Sequence, residues 1–190
     1  MLTIQLEKAL YNCCQPDKAL TYDNLKGLLH TEGKIVASDT HVLAAVTCEY
    51  DPALENIITN RSGEDIKLEY PRWKGVLPAN PSEFILGPSF TDLATACKNL
   101  KRGKTNNPLF IDLRSIPFNP AVILRIVAVF NALEETPTVS IRNNAPLDCW
   151  TNNRAMLKSE NCIAIICSVK HSPEMTFVSV PDAIKVGDLL

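Results

Sequence analysis

Apolar residues recur at helical spacing near the start of the chain and predict a helix there. The apolar positions of this stretch fall at i, i+3, i+4, i+7 and i+8, which is one face of a helix: Leu6, Ala9, Leu10, Cys13 and Cys14. Residues 5 to 10 are all good helix formers. The pattern therefore predicts a helix at about residues 4 to 14, ending before Pro16.

A meander of three strands is predicted next, over about residues 21 to 50. Two apolar runs, Leu25 to Leu29 and Ile35 to Ala37, flank the polar break at residues 30 to 34, in which Gly33 supplies the turn. Ser38-Asp39-Thr40 predicts a second turn through its short polar side chains. The third strand is the β-prone run from Val42 to Cys48.

The middle of the chain predicts a loop and then a second helix. Residues 51 to 69 are rich in turn formers around a loop centre at residues 60 to 63, with short strand fragments at Ile57-Ile58 and Ile66 to Leu68. Ser89 and Asp92 resemble a capping box. They predict a helix over about 90 to 101, with Gly103 as its C-terminal stop.

The last third predicts one further helix and several strands. Asn119 is a cap and Pro120 takes the first helical position, so that residues 121 to 133 form a helix that is apolar nearly all round and therefore buried. The strands are predicted at 138–142, 147–151 and 162–170, with an edge strand at 175–180.

Composition places the chain among ordinary globular proteins. It has 190 residues, of which 46% are hydrophobic and 21% charged, and its net charge of −2 gives no global attraction to nucleic acid or to an anionic membrane. Its first 20 residues lack the apolar core of a signal peptide, and the run from Ala121 to Leu133 is too short to span a bilayer. Seven cysteines, an odd count, predict free thiols in a reducing cytoplasm.

Signals of enzyme chemistry are weak. The three histidines (His30, His41 and His171) are scattered, and no Gly-rich phosphate loop or His-Glu zinc motif occurs. No two cysteines have the Cys-x-x-Cys zinc spacing. We therefore expect a protein that is not an enzyme and that needs no metal or cofactor.

Three ordered stretches resemble one known family. Ala37-Ser38-Asp39-Thr40-His41-Val42-Leu43-Ala44 is similar to the Ala-Thr-Asp-Gly-His-Arg-Leu-Ala segment of the bacterial sliding clamp, the β subunit of the replicative DNA polymerase. Residues 70 to 78, Tyr-Pro-Arg-Trp-Lys-Gly-Val-Leu-Pro, resemble the clamp's Phe-Pro-Asp-Tyr-Arg-Arg-Val-Leu-Pro connector. Residues 118 to 120, Phe-Asn-Pro, resemble a helix start in its last domain, which the clamp follows with strands.

The resemblance implies an α+β, DNA-clamp-like fold. An antiparallel sheet would pack on two helices, and a loop-helix segment would be inserted between the halves. Residues 1–190 would then form a single clamp-like domain with the insertion at about 51–108.

Clamps of this family encircle duplex DNA, and cations on their inner helices contact phosphates without reading sequence. The resemblance therefore implies a processivity factor that associates with duplex DNA as a homo-oligomer, because a ring of one-domain subunits needs several copies. The candidate DNA-binding cations lie on the predicted helices or in the tail of the second one: Lys8, Lys98, Lys101, Arg102, Lys104 and Arg125. Four of these cations lie near a helix C-terminus, where they are favourable for structural reasons alone.

The family also captures short apolar peptides of polymerases and repair proteins in a groove. By position, the groove residues here would be Thr40, His41, Leu43, Pro71, Trp73, Val76 and Val169. This chain departs from the family in the first stretch, where Thr40 replaces Gly and Val42 replaces Arg. It also departs at the position of the family's C-terminal strand, Ile-Met-Pro-Met-Arg, where Cys167, Ser168 and Val169 replace Met, Pro and Met. Two alternatives stay open: a monomeric clamp-like module that binds a protein without encircling DNA, and side chains that only pack a core corner.

Overall fold

The structure is a computed structural model that describes residues 2–102, 109–142, 153–170 and 175–187. These residues contain four α-helices and eleven strands. The helices are α1 (Ile4–Tyr11), α2 (Phe90–Arg102), α3 (Pro120–Leu133) and α4 (Val180–Gly187). The strands are β1 (Leu28–Thr31), β2 (Lys34–Ser38), β3 (Val42–Thr47), β4 (Ile58–Thr59), β5 (Phe84–Leu86), β6 (Leu109–Leu113), β7 (Ile116–Phe118), β8 (Thr138–Arg142), β9 (Arg154–Lys158), β10 (Cys162–Cys167) and β11 (Thr176–Ser179).

Eight strands form one antiparallel sheet in the order β4-β1-β2-β3-β10-β9-β8-β5. Its centre joins the two halves of the chain, because β3 pairs with β10 and brings Leu43 opposite Ile165. Successive side chains point to opposite faces of a strand. The sheet therefore has two apolar faces, and each face has its own hydrophobic cluster.

The first face, the helix face, is covered by α1 and α3, which also pack on each other. Thr3 caps α1, because its side chain accepts a hydrogen bond from the backbone N–H of Leu6. Asn119 caps α3 in the same way, and Pro120 occupies the first helical position. Phe130 of α3 is fully buried and meets Phe90 of α2 edge to face.

The remaining elements extend this helix layer. α2 packs on α3 and α4, and a small sheet in the order β11-β6-β7 lies beneath them. β6 and β7 form a hairpin whose two turn residues, Arg114 and Ser115, both have positive φ. β11 pairs with β6 in parallel and leads into α4.

The predicted α+β fold, an antiparallel sheet packed on two helices with an inserted loop-helix segment, is confirmed. The predicted helices α2 and α3 and strand β8 agree with the structure to within one residue. α1 is shorter than predicted, because after Tyr11 the backbone N–H groups of Cys13 and Cys14 bond three residues back and tighten the last turn.

Several predicted strand bounds are wrong. Ile66 to Leu68 form no strand, and only a single bridge between Thr59 and Asp65 occurs there. The first hairpin turns at Glu32-Gly33, so that His30 and Thr31 belong to β1. β10 ends at Cys167, and the predicted edge strand is shortened to β11. The predicted strand at 147–151 and the stop at Gly103 lie outside the described residues.

Candidate binding pocket

An irregular segment, residues 70 to 78, covers the second face of the main sheet and is here called the connector. Pro71 and Pro78 restrict its backbone, and Trp73–Val76 form a 3-10 turn. Trp73 is 8% exposed and packs into the hydrophobic cluster of this face, the connector face.

Two polar contacts fix the connector to the rest of the fold. The Nζ atom of Lys74 lies 2.6 Å from the Glu32 carboxylate in the β1–β2 turn. The guanidinium of Arg154 on β9 donates a 2.7 Å hydrogen bond to the carbonyl oxygen of Val76. The connector is therefore attached at two places, on opposite sides of the sheet centre.

Between the connector and the sheet lies a pocket of about 260 Å³. The paired strands β3 and β10 supply Leu43 and Ile165 to it. Its full lining consists of Tyr22, Leu25, Ser38, Thr40, Val42, Leu43, Tyr70, Pro71, Arg72, Trp73, Val76, Ile165 and Cys167. An apolar concave site with a few polar groups is the usual design of a small-ligand or peptide site.

The turn from Ser38 to Val42 forms the rim of this pocket, and the contacts of Asp39 hold it in place. The Asp39 carboxylate accepts hydrogen bonds from the backbone N–H groups of His41 and Val42. Its other oxygen lies 2.5 Å from the Arg125 guanidinium of α3. Asp39 is buried, so that this ion pair ties the rim to the helix layer on the opposite face.

Thr40 has an unusual backbone within this turn. Its φ is +81°, a left-handed conformation that is rare for a β-branched residue and typical of glycine. Its side chain lines the pocket, and its hydroxyl lies 3.3 Å from Nδ1 of His41. The rim therefore carries local strain at a residue that faces the pocket.

Burial sets the protonation state of the thiols around this region. Burial raises the pKa of Cys167, which lines the pocket, although the Arg154 charge lowers it in part. Burial also raises the pKa of Cys13 to about 12 and pushes that of Cys14 above its usual range. Because a thiolate is the reactive form, these three cysteines are poor nucleophiles at neutral pH.

The structure brings five of the seven predicted groove residues to this pocket: Thr40, Leu43, Pro71, Trp73 and Val76. His41 is exposed and is not part of the lining. Val169 lies beyond the end of β10, where its N–H bonds to Pro117, and Cys167 takes the place at the pocket.

Sequence reasoning missed several lining residues. Tyr70 and Arg72 flank Pro71, so that the connector motif itself could have indicated them. Ile165 could be found only from the register of β10 against Leu43. Tyr22 precedes a short 3-10 turn and has a left-handed backbone, which no local signal predicts.

The predicted DNA-binding cations are spread over three helices. Lys8 is exposed on α1, and Lys98 and Lys101 are exposed on α2, which also contains Arg102. Arg125 of α3 is engaged by Asp39 and by the carbonyl oxygen of Asn12. Lys104 lies outside the described residues.

Within the described ranges, no cluster of three or more His, Cys, Asp or Glu side chains could hold a metal ion. In the same ranges, every helix is too short or too polar to cross a bilayer.

No protein-family model matches the sequence, and no curated protein is significantly similar to it. Solved sliding clamps, however, have the same fold. The beta sliding clamp of Caulobacter crescentus matches with a TM-score of 0.64 at 12% identity, over 88% of this chain and 62% of that chain. The beta subunit from DNA polymerase of Streptococcus pyogenes gives 0.59 at 15% identity, over 88% and 63%.

A third match is the sliding clamp of Bartonella birtlesii bound to griselimycin, with a TM-score of 0.58 at 14% identity, over 86% of this chain and 64% of that chain. The chain thus spans less than two thirds of the length of each of these clamps. The fold is that of the bacterial sliding clamps, and at such low identities the likeness shows the fold alone.

Proposed function

We propose that this protein is a non-catalytic, clamp-like accessory protein of DNA replication, and that its pocket holds a short apolar peptide segment of a partner protein. The observation that carries this proposal is the pocket itself. Leu43 and Ile165 from the sheet meet Pro71, Trp73 and Val76 from the connector around about 260 Å³ of space, which suits two or three apolar side chains of a peptide.

The fixed connector supports the same proposal. A site that is formed before its ligand arrives loses less conformational entropy on binding. The contacts of Lys74 with Glu32 and of Arg154 with Val76 hold the wall in place, and the two prolines limit its freedom further. We propose that residues 1–190 act as one domain, which the continuous packing of α1, α3, α2 and α4 supports.

The clamp fold also favours a second candidate, association with duplex DNA as a homo-oligomer. Lys8, Lys98 and Lys101 are exposed on helices and could contact phosphates. Arg125, by contrast, is held in an ion pair with Asp39. Light scattering with and without nicked circular DNA separates the two candidates. A protein that stays monomeric and does not bind DNA would contradict encirclement, but it would not contradict peptide binding.

Peptide binding is tested with a display library of random dodecapeptides, panned on the wild type alone, after which each selected peptide is titrated against the wild type and Trp73→Ala. We expect peptides with adjacent apolar residues, which bind Trp73→Ala at least about tenfold more weakly because a well-packed aromatic anchor contributes about 2 kcal/mol. Trp73 also reports binding by its fluorescence once Trp150, the other tryptophan, is replaced by Phe.

Two controls make this test decisive. Circular dichroism and thermal melts of Trp73→Ala must show a folded protein, and Thr40→Leu, which enlarges another lining side chain, should weaken the same peptides. Peptides that bind both variants as tightly as the wild type would contradict the proposal, as would a library that yields no apolar binder.

A further inference from the structure

Arg72 is the single charged side chain among the residues that line the pocket. It is exposed, and it follows Pro71 directly at the start of the 3-10 turn. Its carbonyl oxygen accepts a 3.0 Å hydrogen bond from the N–H of Gly75. The backbone that carries this guanidinium is therefore fixed at the pocket, between a proline and a buried tryptophan.

Arg72 differs from three other cations around the connector, which have partners. Lys74 is paired with Glu32, Lys26 with Asp23, and the Arg154 guanidinium donates to Val76. Within the described residues, the Arg72 guanidinium makes no ion pair and no hydrogen bond, and no carboxylate lines the pocket. The N–H donors of the planar Arg72 guanidinium are therefore available to a ligand beside the apolar pocket.

We infer that the occupant of the pocket is a peptide that carries a carboxylate beside its apolar anchor, and that Arg72 binds this carboxylate. This inference rests on the proposed function and specifies its partner. A guanidinium recognises a carboxylate through two parallel N–H···O bonds, which fixes orientation as well as adding attraction. The family's connector has Asp, which is negatively charged, where this chain has Arg72. The preference for a carboxylate is therefore inferred for this chain and not for the family.

The carboxylate comes from an Asp or Glu side chain or from a peptide C-terminus, and both have the same chemistry. Because Arg72 is exposed, the gain is that of an ion pair at a rim, about two- to fivefold in affinity. Salt screens such a pair. The preference for an acidic peptide should therefore shrink between 50 mM and 500 mM NaCl, whereas binding of the apolar anchor should persist.

Synthetic peptides with a three-leucine anchor test this inference by fluorescence anisotropy. Three amidated peptides, Gly-Ser-Xaa-Leu-Leu-Leu-Xaa-Ser-Gly, have Asp, Asn or Lys at both Xaa positions. A fourth, Gly-Ser-Asn-Leu-Leu-Leu, ends in a free carboxylate and is compared with its own amide. We expect the wild type to bind the Asp peptide about two- to fivefold more tightly than the Asn peptide, or to show this ratio for the free carboxylate over its amide.

Substitutions of Arg72 assign the effect. Arg72→Gln should reduce either ratio to about one, and Arg72→Glu should invert the order so that the Lys peptide binds best. Lys67→Gln removes the same charge from an exposed residue that does not line the pocket, and it should leave the ratios unchanged.

The possible outcomes separate this inference from the function on which it rests. Equal affinity of the wild type for the Asp and Asn peptides and for the carboxylate and its amide overturns the inference, as does an acidic preference that survives Arg72→Gln. In both cases, sensitivity of the peptides to Trp73→Ala keeps the pocket as the binding site. If none of the peptides binds, both proposals are contradicted.

Discussion

The two faces of the main sheet carry similar strand residues but are covered in different ways. On the helix face, α1 and α3 pack closely, and Phe130, Ile126 and Ile123 are fully buried. On the connector face, a short irregular segment with two prolines covers the cluster around Leu43 and leaves the pocket. A helix presents a continuous apolar stripe that can fill the space above a sheet, whereas the connector buries only Tyr70 and Trp73 in the cluster of this face.

The comparison suggests a division of roles: the helix face supplies most of the stability, and the connector face supplies the proposed binding site. The two are linked by the ion pair between Asp39 and Arg125. Asp39 lies in the turn that forms the pocket rim, while Arg125 is on α3. The position of the rim therefore depends on the helix layer, although no lining residue is part of an α-helix.

The largest expected effect is that of Phe130→Ala on the helix face. Removing a fully buried phenylalanine side chain leaves a cavity and should lower the free energy of unfolding by about 3–5 kcal/mol. Urea denaturation followed by circular dichroism measures this loss. Apolar peptides should still bind at temperatures where the variant remains folded, because Phe130 does not line the pocket.

Leu124→Ala on the same helix is the matched control. Leu124 is only half-buried, so that its loss should lower the free energy of unfolding by about 1 kcal/mol. If Trp73→Ala lowers it as much as Phe130→Ala does, the two faces contribute equally to stability and the proposed division of roles is wrong.

How far the sequence predicts this architecture depends on whether a signal is local. α3 was predictable because Asn119 and Pro120 mark its start, and the β1–β2 hairpin because Gly33 marks its turn. The β6–β7 hairpin was missed, since its left-handed turn residues are Arg114 and Ser115 and not the usual Asn-Gly pair.

The same distinction applies at the pocket and at the end of the chain. Pro71, Trp73 and Val76 lie within one motif and were predicted together, whereas Ile165 reaches the pocket only because β10 pairs with β3. α4 was missed although Ser179 caps its start, where its hydroxyl accepts a hydrogen bond from the backbone N–H of Asp182. The apolar residues before it favoured a strand, and the boundary between β11 and α4 falls inside that run.

A smaller effect is expected from pH, at the edge of the helix face that the helices do not cover. His30 is buried on β1, where its Nε2 lies 3.0 Å from the Thr59 hydroxyl and its ring contacts Tyr50. Burial lowers the pKa of His30 below its usual value of 6.5. The unfolded chain therefore takes up a proton at a higher pH than the folded protein does, so that stability falls as the pH drops below about 6.5.

Urea denaturation at several pH values between 7.5 and 5 measures this effect. One group contributes a slope of at most about 1.4 kcal/mol per pH unit. His30→Gln should flatten the profile in this range, and His41→Gln, which changes an exposed histidine, should not. An unchanged profile in His30→Gln would show that another group causes the loss of stability at low pH.

The smallest expected change is a gain in stability at the pocket rim, from Thr40→Gly. Glycine adopts a positive φ without strain, whereas a β-branched residue at φ +81° carries about 1–3 kcal/mol of strain. Part of the gain is lost to the greater freedom of glycine in the unfolded chain. We therefore expect the free energy of unfolding to rise by about 1 kcal/mol. Thr47→Gly, in the exposed end of β3, should lower it by a similar amount.

Peptide affinity decides what this strain means for the comparison of the two faces. If Thr40→Gly stabilises the protein and weakens the binding of apolar peptides, the strain at the rim is retained because the threonine side chain shapes the pocket. If it stabilises the protein and binding is unchanged, the rim does not contribute to recognition, and the site consists of the sheet and the connector alone. A loss of stability would show instead that the contact of the Thr40 hydroxyl with His41 outweighs the backbone strain, and that the connector face is packed more tightly than its irregular cover suggests.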